Sequence, residues 1–388
     1  MLNEAEEIRK QAITRYQHGE SSGAICLSLG QSRSWLYKWL SRSGSGKEDW
    51  YRDQLRRPLS NPRWTSAEME EIVKSVRLEL YNRGDFCGVQ AIHWHMEDLG
   101  LRPLPSLRTI GRILDRNQLT HRRTGRYEPK GVYYPKVTAE SPNDLHQSDY
   151  VGPCYLKGGI RFYSLHSVDL ATGRCAVEPV TGGKGTSGRA FWAIWHRLGM
   201  PRYQQIDNEM TFYGSPTHPR GMGKLIRLCL HHGIEPIFIP VKEPWRNGVV
   251  EKFNHHWRQK FLEAEEMDST QQLQHGSLNF ETNHNSRYRY SKLGGKTSLQ
   301  SLASSQAALR FPPTLEPPQE PLSKPSQGRY HVVRLIRSDR KLDIFGESFR
   351  VPVEAVYEYV WATIDVKKQC LSLYVGDELL KQQDYRVR

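Results

Sequence analysis

The chain is 388 residues long, and its 55 Lys and Arg outnumber its 42 Asp and Glu to give a formal net charge of +13. This length predicts two to four domains, and the charge favours a polyanion such as nucleic acid over an acidic protein surface as partner. No apolar run approaches the roughly 20 residues of a membrane span, no signal peptide opens the chain, and the six cysteines form no Cys-x-x-Cys pair, so we expect a cytoplasmic protein with reduced thiols and no membrane partner.

Residues 1–46 predict a helix-turn-helix DNA-binding domain. Apolar residues recur at helical spacing in three short segments, which are separated by residues 19–22 and 30–32. Because a tight turn precedes a basic third helix, we expect this helix to enter a DNA groove, with Arg33 and Lys38 in contact with DNA. A plain three-helix bundle with solvated polar residues is the alternative.

Residues 60–125 predict a second helical DNA-binding domain, with helices over about 72–81, 89–99 and 106–117. Arg108, Arg112 and Arg116 are spaced four apart and therefore share one helix face. We interpret this face as a phosphate-binding surface, with Arg108 and Arg112 as DNA contacts. The alternative is an ordinary solvated surface.

Residues 140–300 alternate between strand and helix patterns and predict an α/β domain. The candidate strands are residues 144–150, 161–168, 174–180, 203–207 and 235–239, and the candidate helices are residues 187–198, 221–232 and a long helix from about 247.

Residues 312–327 contain six prolines and predict a stiff linker. Beyond it, six short alternating segments with glycines at turns predict a small β-barrel over residues 328–388. The expected fold is therefore multidomain: N-terminal all-α blocks, a central α/β core and a C-terminal barrel.

Three carboxylates stand where strands or a helix would bring them to one edge of the α/β sheet: Asp149, Asp207 and Glu251. Each has an ordinary alternative, as a turn residue or as an acid in the first turn of a helix. Gathered together, they repel one another unless a cation compensates, and hard divalent ions suit carboxylate oxygens. Two such ions at one site would support an in-line phosphoryl displacement.

The residues around these acids resemble the integrase-core (DDE) family, which includes retroviral integrases and bacterial insertion-sequence transposases. The first family motif is matched by Gln147, Asp149, Gly152 and Pro153, the second by Asp207, Asn208 and Phe212, and the third by Pro244, Asn247, Gly248 and Glu251. The resemblance covers about residues 144–261. Glu209 replaces the glycine that usually follows Asp-Asn, and this extra acid beside Asp207 could perturb the metal geometry or offer a false ligand. The second and third acids are also further apart in the sequence than is common.

The resemblance implies a ribonuclease-H-like catalytic core that cleaves the 3′ ends of a mobile element and joins them to target DNA without a protein nucleophile. It implies Asp149, Asp207 and Glu251 as catalytic residues and ligands of two Mg²⁺ ions, which Mn²⁺ could replace. Arg246, Asn247 and Lys252 would then contact DNA beside Glu251, although basic residues on a helix are often merely solvated. A bacterial protein of this kind is expected at the nucleoid when bound to DNA.

Other functions remain open at this point. A DNA-binding repressor or domesticated factor with a catalytically silent core is the main alternative, and a metal-dependent nuclease without strand transfer is a third. Histidine pairs at residues 93 and 95, 231–232 and 255–256 raise the possibility of zinc, which we reject because no cysteine pair lies within reach.

We expect the working form to be a homo-multimer on DNA, because joining two element ends requires two active sites at a fixed separation. The linkers at residues 41–47 and 312–327 would let the small domains reach a neighbouring subunit. No long tail follows the last predicted strand, so an ATPase partner is not expected.

Overall fold

The computed structural model describes residues 4–53, 65–120, 133–181, 183, 187–214, 217–264 and 266–388. It divides into two compact units, Met1–Ser66 and Ala67–Arg388. None of the helices in these described ranges is both long enough and apolar enough to cross a membrane. The second unit contains the second helical block, the α/β region and the C-terminal strands together.

Three short helices form the first unit: α1 (Glu4–Gln17), α2 (Ser22–Leu29) and α3 (Arg33–Ser43). The side-chain oxygens of Ser21 and Ser32 cap α2 and α3 by accepting hydrogen bonds from backbone N–H groups of the first turn. Gly30 ends α2 in a left-handed conformation that glycine adopts without strain. The three predicted helices are present, and Arg33 and Lys38 are exposed on α3. Their contact with DNA stays a prediction.

The second unit begins with another helical trio: α4 (Ala67–Asn82), α5 (Val89–Asp98) and α6 (Leu107–Arg116). Residues at helical spacing on the three helices form a small core of their own, which includes Val73, Val76, Leu80, Ile92, Met96, Ile110 and Ile113. The predicted helices are therefore present. Residues 60–64 and 121–125 of the predicted second domain lie outside the described residues.

A mixed sheet follows, with strands β1 (Leu145–Tyr155), β2 (Arg161–Asp169), β3 (Cys175–Thr181), β4 (Tyr203–Ile206) and β5 (Glu235–Phe238). β1, β2 and β3 pair antiparallel, whereas β4 pairs parallel with β1 and β5 parallel with β4. These are the five predicted strands. The alternation of strands and helices is the α/β pattern that the sequence predicts.

The remaining helices are α7 (Ser187–Leu198), α8 (Met210–Tyr213), α9 (Lys224–His231), α10 (Gly248–Trp257), α11 (Thr270–Arg287) and α12 (Ser298–Ala303), and a two-residue pair, β6 (Arg289–Tyr290) with β7 (Lys296–Thr297), lies between the last two. Side chains alternate between the two faces of the strands. On β3, Ala176 packs with α7 and α9, while Cys175 and Val177 pack with α10 and α11. Helices thus cover both faces of the sheet.

The C-terminal strands are β8 (Arg329–Leu335), β9 (Lys341–Ile344), β10 (Glu347–Arg350), β11 (Tyr359–Asp365), β12 (Cys370–Val375) and β13 (Glu378–Asp384). They lie where the sequence predicts strands, but the described residues do not form a separate barrel. β8 pairs parallel with β5, so one nine-stranded sheet runs in the order β13-β12-β11-β8-β5-β4-β1-β2-β3. The physical reason is that β5 would otherwise leave an unpaired edge, and Val332 and Ala362 share the apolar core of α7 and α9.

The proline-rich segment runs along helices α7 and α9 instead of acting as a free linker. Trp192 Nε1 donates to the carbonyl oxygen of Thr314 at 2.9 Å, and Arg227 Nη1 donates to that of Leu322 at 2.9 Å. His231 lies 2.9 Å from the carbonyl oxygen of Ser323. These contacts hold the segment against the core, so residues 312–327 do not provide the reach to a neighbouring subunit that their composition suggests.

Candidate active site

The register of the two central strands places Asp149 and Asp207 side by side. β1 and β4 run parallel with Gln147 opposite Gln205. Two residues further along each chain, Asp149 and Asp207 follow on the same face of the sheet, because side chains alternate with a period of two. Asp207 comes directly after β4, whereas Asp149 lies within β1, which continues to Tyr155 instead of ending at the acid.

The electrostatics of Asp149 show that the other acids converge on it. Burial, and then the negative charges of Asp207, Glu251 and Glu209, raise the pKa of Asp149 to about 7. The structure therefore brings the three predicted acids within electrostatic reach of one another, together with Glu209. In the described part of the chain, no three His, Cys, Asp or Glu side chains are arranged as ready metal ligands.

Amide side chains from both central strands fix the start of the helix that carries Glu251. The segment Pro244–Asn247 forms a 3₁₀ turn that leads into α10. Gln147 Oε1 accepts from the backbone N–H of Val249 at 3.0 Å, and Gln205 Nε2 donates to the carbonyl oxygen of Arg246 at 3.0 Å. Glu251 follows on the first turn of α10. Its position is thus set by the same two strands that carry the other acids.

Asn247, directly before α10, also attaches this helix to the two central strands. Its Nδ2 donates to the carbonyl oxygen of Ser148 at 3.0 Å, and its Oδ1 accepts from Gln205 Nε2 at 3.1 Å. The residue is only 2% exposed. This placement differs from the predicted DNA contact, because both ends of the amide are used to attach α10 to the sheet.

A second chain of hydrogen bonds orients Asp149. Asn254 Nδ2 donates to Asp149 Oδ2 at 2.8 Å, and His166, directly across from Asp149 on β2, donates from Nδ1 to Asn254 Oδ1 at 2.7 Å. Burial lowers the pKa of His166 to about 3, so the ring is neutral and donates from one nitrogen only. Its Nε2 accepts from Ser164 Oγ at 2.9 Å. Sequence reasoning did not identify His166, which no motif marks.

The loop that carries Asp207 is held from the C-terminal part of the sheet. Arg334 on β8 donates from Nη2 to Asn208 Oδ1 at 2.7 Å and from Nη1 to the carbonyl oxygen of Ile239 at 2.9 Å. Asn208 Nδ2 donates to the same carbonyl oxygen at 2.5 Å. Burial lowers the pKa of Arg334 to about 10, which leaves it charged at neutral pH. A buried cation therefore fastens the residue next to the second acid.

The other predicted DNA contacts fall into two groups. Arg246 is engaged within the protein: it pairs with Glu243 at 2.9 Å, donates to Tyr359 Oη at 2.8 Å and lies over the ring of Tyr134. Its placement, like that of Asn247, differs from a free phosphate contact. Arg108, Arg112 and Lys252 are exposed on α6 and α10, and their contact with DNA stays a prediction.

Residues 232–297 match the family model described as integrase core domain. This part of the chain is similar to the integrase core family. The integrase core match includes β5, α10 and α11, and with them Glu251 and Asn254, but neither Asp149 nor Asp207. No curated protein matches the chain.

Among solved structures, the chain is similar to the HTLV-2 integrase catalytic core domain in complex with magnesium, at 20% identity over 42% of this chain and 99% of that chain, with a TM-score of 0.33. It is similar to the simian T-cell lymphotropic virus intasome in complex with PP2A regulatory subunit B56 gamma, at 14% identity over 81% and 98% of the two chains, with a TM-score of 0.39. It is also similar to the BIV integrase catalytic core domain, at 15% identity over 42% and 94%, with a TM-score of 0.32. These TM-scores are low, so the likeness to an integrase core depends on residues 232–297.

Proposed function

We propose that the chain is a DNA transposase that cleaves the 3′ ends of a mobile element and joins them to target DNA. The observation that carries the proposal is the paired register of β1 and β4, which sets Asp149 beside Asp207, with Glu251 close enough to raise the pKa of Asp149. Three acids held at one sheet edge by separate hydrogen-bond networks suit phosphoryl transfer, in which positioning and charge do most of the chemistry. The integrase core match over α10 supports the same function.

The donor set fits divalent cations. Asp149, Asp207 and Glu251 offer hard carboxylate oxygens, and their mutual repulsion at a half-buried position calls for a compensating positive charge. We propose that these residues hold Mg²⁺, with two ions per site and Mn²⁺ as a substitute. When bound, the ions supply the positive charge that activates an attacking oxygen and stabilises a leaving one.

The chain's own residues keep the three acids in place for this reaction. Asn254 holds Oδ2 of Asp149, so that the other carboxylate oxygen faces away from the amide. Gln147 and Gln205 fix the start of α10, and Arg334 fixes Asn208 next to Asp207. These contacts limit how far the acids must move to close around the ions when DNA arrives.

The experiment that tests the function uses full-length protein, the terminal DNA of its element, and Mg²⁺ or Mn²⁺ against EDTA. Nicking at the 3′ ends followed by joining to a target duplex would support a transposase. Binding of the ends without cleavage in either metal would instead support the silent DNA-binding factor. Cleavage without joining would support a nuclease.

We further propose that the active form is a multimer that bridges two DNA ends, since one chain offers a single set of the three acids and two ends must be joined at a fixed separation. Exposed α3, with Arg33 and Lys38, is the proposed reader of the element ends. Light scattering with and without paired-end DNA would test the assembly. A complex with one protein per end that still joins both ends independently would overturn it.

A further inference from the structure

The helical block α4–α6 is fastened to the catalytic core through the turn between α4 and α5. The ring of Phe86 lies 4.5 Å from that of His256 and 4.1 Å from that of Tyr288, measured between centroids. Lys260 Nζ donates to the carbonyl oxygen of Asp85 at 3.3 Å, and Arg289 pairs with Asp98 at 3.0 Å. The helical block therefore packs directly against the core, with one set of contacts at Asp85 and Phe86 and another at Asp98.

A cleft of about 1220 Å³ lies between these contacts. Exposed Arg108 and Arg112 of α6 line one wall, and exposed Asn279, Asn283 and Arg287 of α11 line the other. The three α11 residues are spaced four apart, so they form a continuous stripe of hydrogen-bond donors about 12 Å long. Two walls of donors thus face one open space.

The charge in this cleft is positive once its internal pairs are considered. Two of its acids are already neutralised, because Asp85 pairs with Arg83 at 3.1 Å and Asp98 pairs with Arg289. Asp115 also lines the cleft and accepts from Thr120 Oγ1 at 2.6 Å. Among the described residues, Arg108, Arg112 and Arg287 form no ion pair at all. Three guanidinium groups are therefore available to an anionic ligand.

Two lysines, with a neutral histidine between them, connect the cleft with the active site. Lys252, His256 and Lys260 are spaced four apart on α10 and the π-helical turn Arg258–Leu262 that continues it. His256 and Lys260 line the cleft, and Lys252 follows Glu251 directly. The charges of Lys252 and Lys260 both reach His256, whose pKa burial and these charges lower to about 4. A strand that lies in the cleft can continue along this line to Glu251.

We propose that this cleft binds the sugar-phosphate backbone of double-stranded DNA, with Arg108 and Arg112 on one wall and Asn283 and Arg287 on the other, and that it guides the duplex toward Glu251. The identity of that DNA as the substrate rests on the proposed function. Guanidinium and carboxamide groups on facing walls suit phosphate and sugar contacts, which carry no sequence information. In this proposal DNA is bound by the core as well as by the N-terminal helices.

The test measures binding of full-length protein to a duplex of unrelated sequence by fluorescence anisotropy, in EDTA and over a range of salt concentrations. The paired variants are Arg108→Ala with Arg112→Ala, and Asn283→Ala with Arg287→Ala. We expect about a tenfold loss of affinity for each pair, and a decrease in the salt slope of about 1 for each arginine removed. Arg337→Ala with Lys368→Ala, which removes two exposed charges from the connections between the C-terminal strands, is the control and should change affinity less than twofold.

The variant Asn283→Ala with Arg287→Ala is the decisive test of the cleft. Arg108 and Arg112 alone could bind DNA as an open surface, without a second wall. Wild-type affinity and salt slope in Asn283→Ala with Arg287→Ala would overturn the cleft, and so would tighter binding of duplex RNA through the same residues. The joining assay in Mg²⁺ separates this result from the proposed function. Normal joining with unaffected binding by the cleft variants refutes the cleft alone, whereas binding through the cleft without any cleavage refutes the transposase alone.

Discussion

The helix that carries Glu251 and the loop that carries Asp207 are held in place by different means. Neutral amides of the adjacent strands, Gln147 and Gln205, fix α10. The loop after β4 depends instead on a buried cation, Arg334, which lies 126 positions further along the chain than Asn208. One support is built from the residues beside the acids, and the other comes from β8, a strand that is distant in the sequence.

The difference has an energetic consequence. An amide that loses its partner leaves a neutral group unsatisfied, which costs about 1–3 kcal/mol when it is buried. Removing a buried guanidinium takes a donor from three acceptors at once: Asn208 Oδ1 and the carbonyl oxygens of Ile239 and Asp343. Of these, the carbonyl oxygen of Ile239 keeps its bond from Asn208 Nδ2. We therefore expect the position of Asp207 to be more sensitive to loss of its support than the position of Glu251. The sequence motifs around the two acids do not show this difference.

Substitution of the three acids should have the largest effect on cleavage and joining. The effects of losing either support are compared with it. Asp149→Asn, Asp207→Asn and Glu251→Gln should each lower cleavage and joining about 1000-fold or more, because an amide keeps the shape of the side chain but loses the charge that holds a metal ion. DNA binding in EDTA should not change. Glu354→Gln, an exposed acid on the C-terminal part, is the control. Joining at the wild-type rate in Mg²⁺ by any of the three variants would remove that residue from the site.

Loss of Arg334, the distant support, should have the second largest effect. Arg334→Ala should lower the free energy of unfolding by about 3 kcal/mol and the turnover of the folded protein about 100-fold, with little change in KM for DNA. Arg334→Lys, which keeps the charge but not the two-pronged geometry, should fall in between. The control is Arg340→Ala, which removes a guanidinium that donates to the carbonyl oxygen of Val351 away from the acids. If Arg334→Ala loses stability but keeps turnover, Arg334 supports the sheet and not Asp207.

Loss of a local support should have a smaller effect. Gln205→Ala removes the hydrogen bonds to Arg246 and Asn247 and should lower the free energy of unfolding by about 1–2 kcal/mol, with roughly tenfold slower joining. Gln382→Ala, which removes a strand amide bonded to Ser372 Oγ, is the matched control and should affect stability alone. A Gln205→Ala variant that is slower than Arg334→Ala would reverse the comparison.

The smallest effect is expected at Glu209, which adds negative charge near Asp149. Glu209→Gly restores the residue common in the family and should leave joining within about twofold of wild type, or improve it slightly, because it relieves like-charge repulsion. Titration of Mg²⁺ in the joining assay checks this. A folded but inactive Glu209→Gly variant would show that Glu209 is a metal ligand.

The sequence predicts much of this structure because its patterns are local. Alternating strands, capped helices and the three acids can all be recognised within a few residues, and Gln205 could have been found as well, since it precedes Asp207 by the same two positions that separate Gln147 from Asp149. The motif residues Arg246 and Asn247 were interpreted as DNA contacts because only their neighbours in the chain were visible. In three dimensions they face Tyr359 and Ser148.

What the sequence does not reveal is long-range pairing. Backbone hydrogen bonds between β5 and β8 are formed by groups that every residue carries, so no side chain marks them. The strands over residues 329–384 are predictable, but their membership of the central sheet is not. For the same reason the proline-rich segment was misjudged and Arg334 was not identified, since each is defined by what it lies against.

The junction of β5 with β8 also affects how the protein is made. A ribosome that has synthesised Asp149, Asp207 and Glu251 has not yet produced Arg334, so the loop after β4 is secured only once the C-terminal strands have emerged. A chain that stops in this interval would carry all three acids without the buried cation that holds this loop.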